Sequence, residues 1–306
     1  MAKPPRKNRL RDQANALRRL IERKQTAEIE PSPPRAPTRC AHTVTVTSGK
    51  GGVGKSCVAL NLAMALAPME SRVCLLDANL GLGNVDLLCG LNGYWNLSHV
   101  ITGARTLGDV MLVGPCGIRV IPGASGLAAV ADCSKSAQSE IFSQLEELEQ
   151  SHDFIVVDTG AGIHESVRRF ASAADLVLTL TTPEPTSIAN AYATVKAFSA
   201  AEQQRLHVLV NQAESSQQAH AVMERIANTS RLFLNRDVAS AGFIPFDHAV
   251  RTAVFRRVPF LVGSPDSAAS RAILQLGRRI KNLCASQENK RPFFPLICER
   301  PPRKAA

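Results

Sequence analysis

A chain of 306 residues, 45% hydrophobic and 20% charged, is long enough to bury a substantial core and too apolar to be disordered throughout. No apolar run reaches bilayer-spanning length, and the opening MAKPPRKNRL lacks the apolar stretch of a secretory signal, so the expected compartment is the cytosol, with the inner face of the cell membrane as a peripheral site. The net charge of +10 sits at the ends: residues 1–39 carry 11 Lys/Arg against 4 Asp/Glu, residues 286–306 carry 5 against 2, and the middle is neutral. Specific DNA binding by the body is therefore disfavoured, and any polyanion contact falls to the tails. The eight cysteines form no C-x-x-C pair that would clamp zinc or an iron–sulfur cluster, and read as reduced small hydrophobes.

In chain order, a candidate helix runs from Asn8 to Lys24 and is followed by the linker EIEPSPPRAPTR, whose prolines favour extended chain. The main domain is expected from Cys40. Short apolar runs at Thr43–Thr47, Val73–Leu76, Ile118–Ile121, Phe154–Val157, Leu176–Leu180, Val208–Val210 and Ala241–Ile244 alternate with helical stretches. Several are continuously apolar, as parallel strands covered on both faces are, which predicts an α/β doubly wound, mostly parallel sheet with helices on both faces. From Ser267 to Cys284, Ala269, Ile273, Leu276, Ile280 and Leu283 recur at helical spacing, predicting a last helix packed on the sheet, with a surface-seeking basic helix as the alternative. The expected divisions are 1–39, 40–285 and 286–306. In the last, Phe293, Phe294, Leu296, Ile297 and Cys298 form an apolar cluster that Pro292 and Pro295 argue should not be helical. Three uses stay open for it: membrane contact, partner docking, or folding back on the body.

The chemistry concentrates after the first strand. Gly49-Lys50-Gly51-Gly52-Val53-Gly54-Lys55-Ser56 fits G-x-x-x-x-G-K-[ST] between a strand and the helix-forming CVALNLAMALA that starts at Cys57. Glycines there let backbone N–H groups converge on phosphate oxygens, Lys55 reaches the terminal phosphates, and Ser56 is a magnesium ligand. Asp158 ends the run FIVVD and is the expected second carboxylate of the metal site. Thr159, Gly160 and Gly162 follow in a loop suited to sensing a γ-phosphate.

The added lysine at position 50 makes GKGGVGKS resemble the deviant Walker motif of the MinD/ParA ATPases. That resemblance implies Mg2+ and ATP as ligands and an ATP-sandwich homodimer in which Lys50 reaches the opposite subunit's phosphates. By the same resemblance CLLDANLGLGNVD is a switch I, with Asp77 near the metal and Asn84 and Asp86 on the following loop. Asn79 departs from the pattern, standing where the family has an aspartate that orients the attacking water, and so predicts slow turnover. Asn211 and Pro245 align with residues that line the adenine.

Residues 181–198, TTPEPTSIANAYATVKAF, together with IPGASG and VPFLVGSPDSAAS, are similar to the FlhG (FleN, YlxH) branch of that family, which sets flagellar number and placement. Near the N-terminus Asp12-Gln13-Ala14-Asn15-Ala16-Leu17-Arg18 matches that branch's D-Q-A-x-x-L-R activator segment, which implies docking on an FlhF-type GTPase of the signal-recognition-particle class. Ala14, Leu17 and Ile21 would share one helical stripe, and Gln13 is placed to orient water in the partner's site. Basal-body and transcriptional partners are further expectations of the resemblance. The rival readings are a MinD-like septum-placement or ParA-like partition ATPase, and a nucleotide-bound adaptor with negligible hydrolysis. An Mrp-type cluster carrier is disfavoured by the missing C-x-x-C.

Overall fold

A computed structural model describes residues 40–79, 83, 85–123, 135–198, 205–285 and 292–298. All belong to Cys40–Ala306, the second of the two units into which the chain divides. The activator residues Asp12, Gln13, Ala14, Leu17 and Arg18, the linker and Asn84 lie outside the described residues.

An eight-stranded sheet organises the body in the order β3-β4-β2-β5-β1-β6-β7-β8. Its strands are β1 (His42–Ser48), β2 (Val73–Ala78), β3 (Leu112–Val113), β4 (Arg119–Ile121), β5 (Phe154–Ala161), β6 (Leu176–Thr181), β7 (Arg205–Ala213) and β8 (Ala239–Pro245). Every pairing is parallel except β3 with β4. The expected doubly wound α/β sheet is thus what forms, and β2 and β6 are buried along their whole length, as their unbroken apolar runs require. The antiparallel edge strand β3 was not expected: two residues are too few to generate a periodic signal.

Two layers of helices close the sheet. Helix α1 (Lys55–Leu66) leaves the glycine loop, and α2 (Val85–Leu88), α3 (Leu97–Ile101) and α4 (Leu107–Val110) are short turns. They are followed by α5 (Lys135–Ser151), α6 (Glu165–Ala173), α7 (Pro185–Phe198), α8 (Ser216–Leu234), α9 (His248–Arg256), α10 (Phe260–Gly263), α11 (Ala268–Ala285) and α12 (Phe293–Cys298). On one face α1 and α11 pack over Val44, Val46, Leu75, Val156 and Leu178. On the other, α5, α6, α7 and α12 pack over Ile155, Val157 and Val177. Strand β1 serves both faces: Val44 and Val46 enter the first, while Thr45 donates its hydroxyl to the Phe170 carbonyl of α6 at 3.2 Å. The apolar stripe of α11 is consumed against α1 and β8, so the packed reading of this helix holds and the surface-seeking one does not. Gly277 is what lets the two helices close up, since a Cβ there would sit 3.2 Å from the Ala65 Cβ. None of the helices among the described residues is long and apolar enough to cross a membrane.

The C-terminal cluster corrects one expectation. Residues 293–298 are helical despite Pro292 and Pro295, because Pro295 stands in the first turn, where the missing N–H has no intrahelical partner to lose. Phe293, Phe294 and Ile297 are fully buried against α5 and α6, leaving Leu296 facing solvent. Burial of such side chains stabilises by roughly 1.5–3 kcal/mol each, so the docked position is strongly favoured. The buried Glu149 carboxylate accepts the Phe293 N–H at 3.0 and 3.2 Å.

Candidate nucleotide-binding site

The first glycine loop is shaped by contacts only glycine allows. A Cβ on Gly49 would fall 2.3 Å from the Asn190 carbonyl of α7, and one on Gly54 would fall 2.6 Å from Asn211 Nδ2. Gly52 and Gly54 adopt φ of 80° and 91°, a left-handed backbone that other residues resist. Gly54 then caps α1, so the free N–H groups of the helix's first turn face outward from the carboxyl edge of the sheet. Ser48 Oγ donates to the Lys50 carbonyl at 2.6 Å and fastens the loop's start.

Lys55 is buried beside Asp158. Burial pulls the ammonium below its ordinary pKa, and the Asp158 carboxylate opposes the shift. Asp158 is itself held well above the usual carboxylate range, chiefly by burial, with the Asp77 charge adding to the rise and Ser56 and Lys55 countering it. Among the described residues neither Asp158 oxygen completes a hydrogen bond, and the Ser56 hydroxyl is a polar neighbour that favours the ionised carboxylate. Asp77 is better supported: its oxygens accept the N–H groups of Asn79 and Val85, both at 3.2 Å, and Gly83 crosses so close that a Cβ would lie 2.7 Å from Oδ2. Ser56, Asp77 and Asp158 form a hard-oxygen set with two orphaned carboxylate atoms, a donor chemistry that fits Mg2+.

Asn79 follows directly on β2, and its Oδ1 stands 3.4 Å from where a Cβ on Gly160 would be, beside the loop leaving Asp158. That loop is tied to the glycine loop by the Gly162 N–H to Ser48 carbonyl bond of 2.8 Å, and Thr159 donates to the Val46 carbonyl at 3.0 Å. Asp86 lies in the first turn of α2 and binds the adjoining Leu87 N–H. Lys50 is engaged at the start of α7, where its Nζ pairs with Glu184 and lies 3.2 Å from Thr186 Oγ1. The Thr181–Ser187 hydroxyl contact of 3.1 Å and the Thr182 N–H bond to Ser187 fix that helix start on β6.

Beside the glycine loop opens a cavity of about 350 Å³ lined by Gly54, Cys57, Val58, Asn211, Pro245 and Phe260, among others. This size and mostly apolar lining suit a small-molecule ring system. Asn211 Nδ2 is occupied with the Val53 carbonyl at 2.8 Å, which turns the amide into a brace for the loop and fixes its orientation. Gln212 beside it has φ 60°, in a register break between β7 and β8. Burial and the Asp158 charge push the Cys57 thiol up to about 12, keeping it protonated. Glu184, Thr186 and Arg251, the last also lining the cavity, were not singled out by sequence reasoning, although Glu184 and Thr186 lie within the stretch that marked the family branch.

The ParA family, described as NUBPL iron-transfer P-loop NTPase, matches residues 39–281. The chain belongs to this ParA/MinD family of P-loop NTPases. Within it, the chain is 40% identical over 254 residues to the antiactivator FleN of Pseudomonas aeruginosa, spanning 82% of this chain and 91% of that protein. It is 34% identical over 188 residues to the flagellum site-determining protein YlxH of Helicobacter pylori, 61% of this chain and 64% of that one. The septum site-determining protein MinD of Bacillus subtilis is 28% identical, covering 78% and 88% of the two chains. In fold the chain resembles the MinD cell division protein of Aquifex aeolicus, with a TM-score of 0.64 at 23% identity over 82% of this chain and 100% of that one. The ParA/MinD fold therefore accounts for the sheet order, and the FleN and YlxH likenesses point to the flagellar branch.

Proposed function

We propose that the chain is an ATP-dependent dimerisation switch of the FlhG type that sets flagellar number or placement, and that its N-terminal segment acts on an FlhF-type GTPase. The observation that carries the proposal is Lys50: a glycine-loop lysine whose half-exposed Nζ is held only by the surface partners Glu184 and Thr186 among the described residues. Its side chain is 36% exposed and that of Glu184 61%, and such surface pairs contribute only about 0–1 kcal/mol. Exchanging Glu184 for the phosphates of a facing subunit thus costs little. Two triphosphates brought face to face require cations from the opposite subunit to offset their charge, and Lys50 would supply one.

Within each subunit Lys55 and the α1 N-terminus would hold the phosphates, and Ser56, Asp77 and Asp158 the metal. Magnesium, when bound, supplies charge neutralisation at the terminal phosphates. Asn79 would accept a hydrogen bond from the attacking water, but its amide takes no proton, so hydrolysis is slow. Asn211, Pro245 and Cys57 would border the base. The Asn79 amide also favours a second reading, a nucleotide-bound adaptor that scarcely turns over.

Light scattering with and without Mg-ATP tests the switch. The wild type should dimerise, whereas Lys50→Ala should bind ATP and stay monomeric. Equal dimer content in the two proteins overturns the role of Lys50, and ATP binding without any dimer overturns the switch itself.

A further inference from the structure

Strand β7 carries an extra residue where it reaches the cavity beside the glycine loop. Asn211 is in register with Ile244 of β8 and Ala213 with Pro245, so two steps along β7 match one along β8 and Gln212 is the surplus residue. Regular alternation would send residues 211 and 212 to opposite faces of the sheet. The bulge re-aims the second, and both line the one cavity. Gln212 takes φ 60°, a left-handed backbone that glycine adopts freely and glutamine does not. Strain of this kind persists only where the surrounding structure holds it, and it gathers at ligand sites. The Gln212 amide lies over the end of the glycine loop, since a Cβ on Gly54 would stand 3.9 Å from its Nε2.

The other polar groups of the cavity are committed or one-sided. Asn211 Nδ2 is bonded to the Val53 carbonyl, and the Asp247 carboxylate accepts the N–H groups of Ala249 and Ala269. Arg251 can donate but not accept. Among the described residues no hydrogen bond engages the Gln212 side chain. From this geometry we propose that Gln212 is the specificity-determining residue for the base, its amide reading the amino-bearing edge of adenine. There a donor and an acceptor stand side by side, and an amide matches both. Guanine offers two acceptors on that edge, O6 and N7, which suit a guanidinium fork and not an amide. Asn211 keeps the separate task of bracing the loop. The inference rests on the nucleotide site proposed above and names the group that selects among nucleotides.

The test uses the full chain with Mg2+ and displacement of a ribose-labelled fluorescent ATP by ATP, GTP and purine riboside triphosphate, which differs from ATP only in lacking the amino group. Wild type should prefer ATP to both competitors. Gln212→Gly suits the left-handed backbone while removing the amide, and should cut the preference for ATP over purine riboside triphosphate on the order of tenfold. Affinity for purine riboside triphosphate itself should change little. Gln212→Asn keeps an amide and tolerates the same backbone, and should retain part of the preference. Asn211→Ala should weaken all three ligands alike, because the loop loses its brace. An undiminished ATP preference in Gln212→Gly, or equal weakening of the three ligands by it, would overturn the assignment and leave the nucleotide site in place. A wild type that binds none of them would overturn site and assignment together. A wild type that prefers GTP would also overturn the assignment, and loss of that preference in Arg251→Ala would move the reading of the base to the guanidinium.

Discussion

Asp77 and Asp158 stand opposite each other on the adjacent parallel strands β2 and β5, and both are wholly buried. Residues in register on neighbouring strands share a sheet face, so two carboxylates are forced together in a place where water cannot screen them. In the proposed function a bound cation would relieve this strain. Asp158→Asn should raise the melting temperature of the nucleotide-free protein, by about 2–4 °C per kcal/mol relieved for a body of this size. It should also abolish the additional stabilisation that Mg2+ gives in the presence of ATP. Differential scanning fluorimetry reads both, and a nucleotide-free variant less stable than wild type would show that the pair is not a source of strain.

Asn79→Asp should accelerate single-turnover ATP hydrolysis. A positioned acid–base group is typically worth roughly 10²–10⁴-fold, and because an amide can still orient water the gain should fall toward the lower end. ATP affinity should change little, since the group acts at the transition state. Rapid-quench assays on preformed ATP complexes decide it; an unchanged rate would remove residue 79 from the neighbourhood of the attacking water.

A peptide covering Arg6 to Lys24 should stimulate GTP hydrolysis by a cognate FlhF-type GTPase, because the proline-rich linker lets the segment act apart from the ATPase body. Gln13→Ala should still bind and lose most of the stimulation. Normal stimulation by that peptide would exclude a water-orienting glutamine.

Stability should carry a signature of Glu149. Burial raises its carboxyl pKa, against the opposing N–H groups of Phe293 and Phe294 and the Cys40 thiol, so the folded state binds this proton more tightly than the unfolded chain. The contribution is complete below the ordinary carboxylate pKa and is lost as pH rises through the elevated folded value. Glu149→Gln keeps an acceptor for the Phe293 N–H but cannot ionise. Urea midpoints should therefore fall less steeply for Glu149→Gln than for wild type as pH rises above the ordinary carboxylate range. Parallel curves would place the titration elsewhere.

What the sequence disclosed was local. The glycine loop could be read because its spacing encodes a backbone shape, and Asp158 because four apolar residues precede it. The pairing of Lys50 with Glu184 could not, since 134 residues separate them and neither belongs to a pattern that names the other. Asn211 was picked out as a base neighbour, and its bond to the Val53 carbonyl, across 158 residues, emerges only when β7 lies beside the loop. At α12 local propensity misled: two prolines counted against a helix that buried phenylalanines and the Glu149 cap sustain.

Glu149 also fastens the body at both of its margins. Its carbonyl receives the Ala41 N–H at 3.1 Å, its carboxylate receives Phe293, and Cys40 leans on the same side chain. The first and last described residues of the body therefore converge on one corner. A circular permutant joining Cys298 to Cys40 by a short bridge, and opened at the exposed turn near Asp237, would preserve every strand of the sheet. Such a closed body would present the nucleotide site on a chain whose two margins are covalently one, with the appended ends supplied separately.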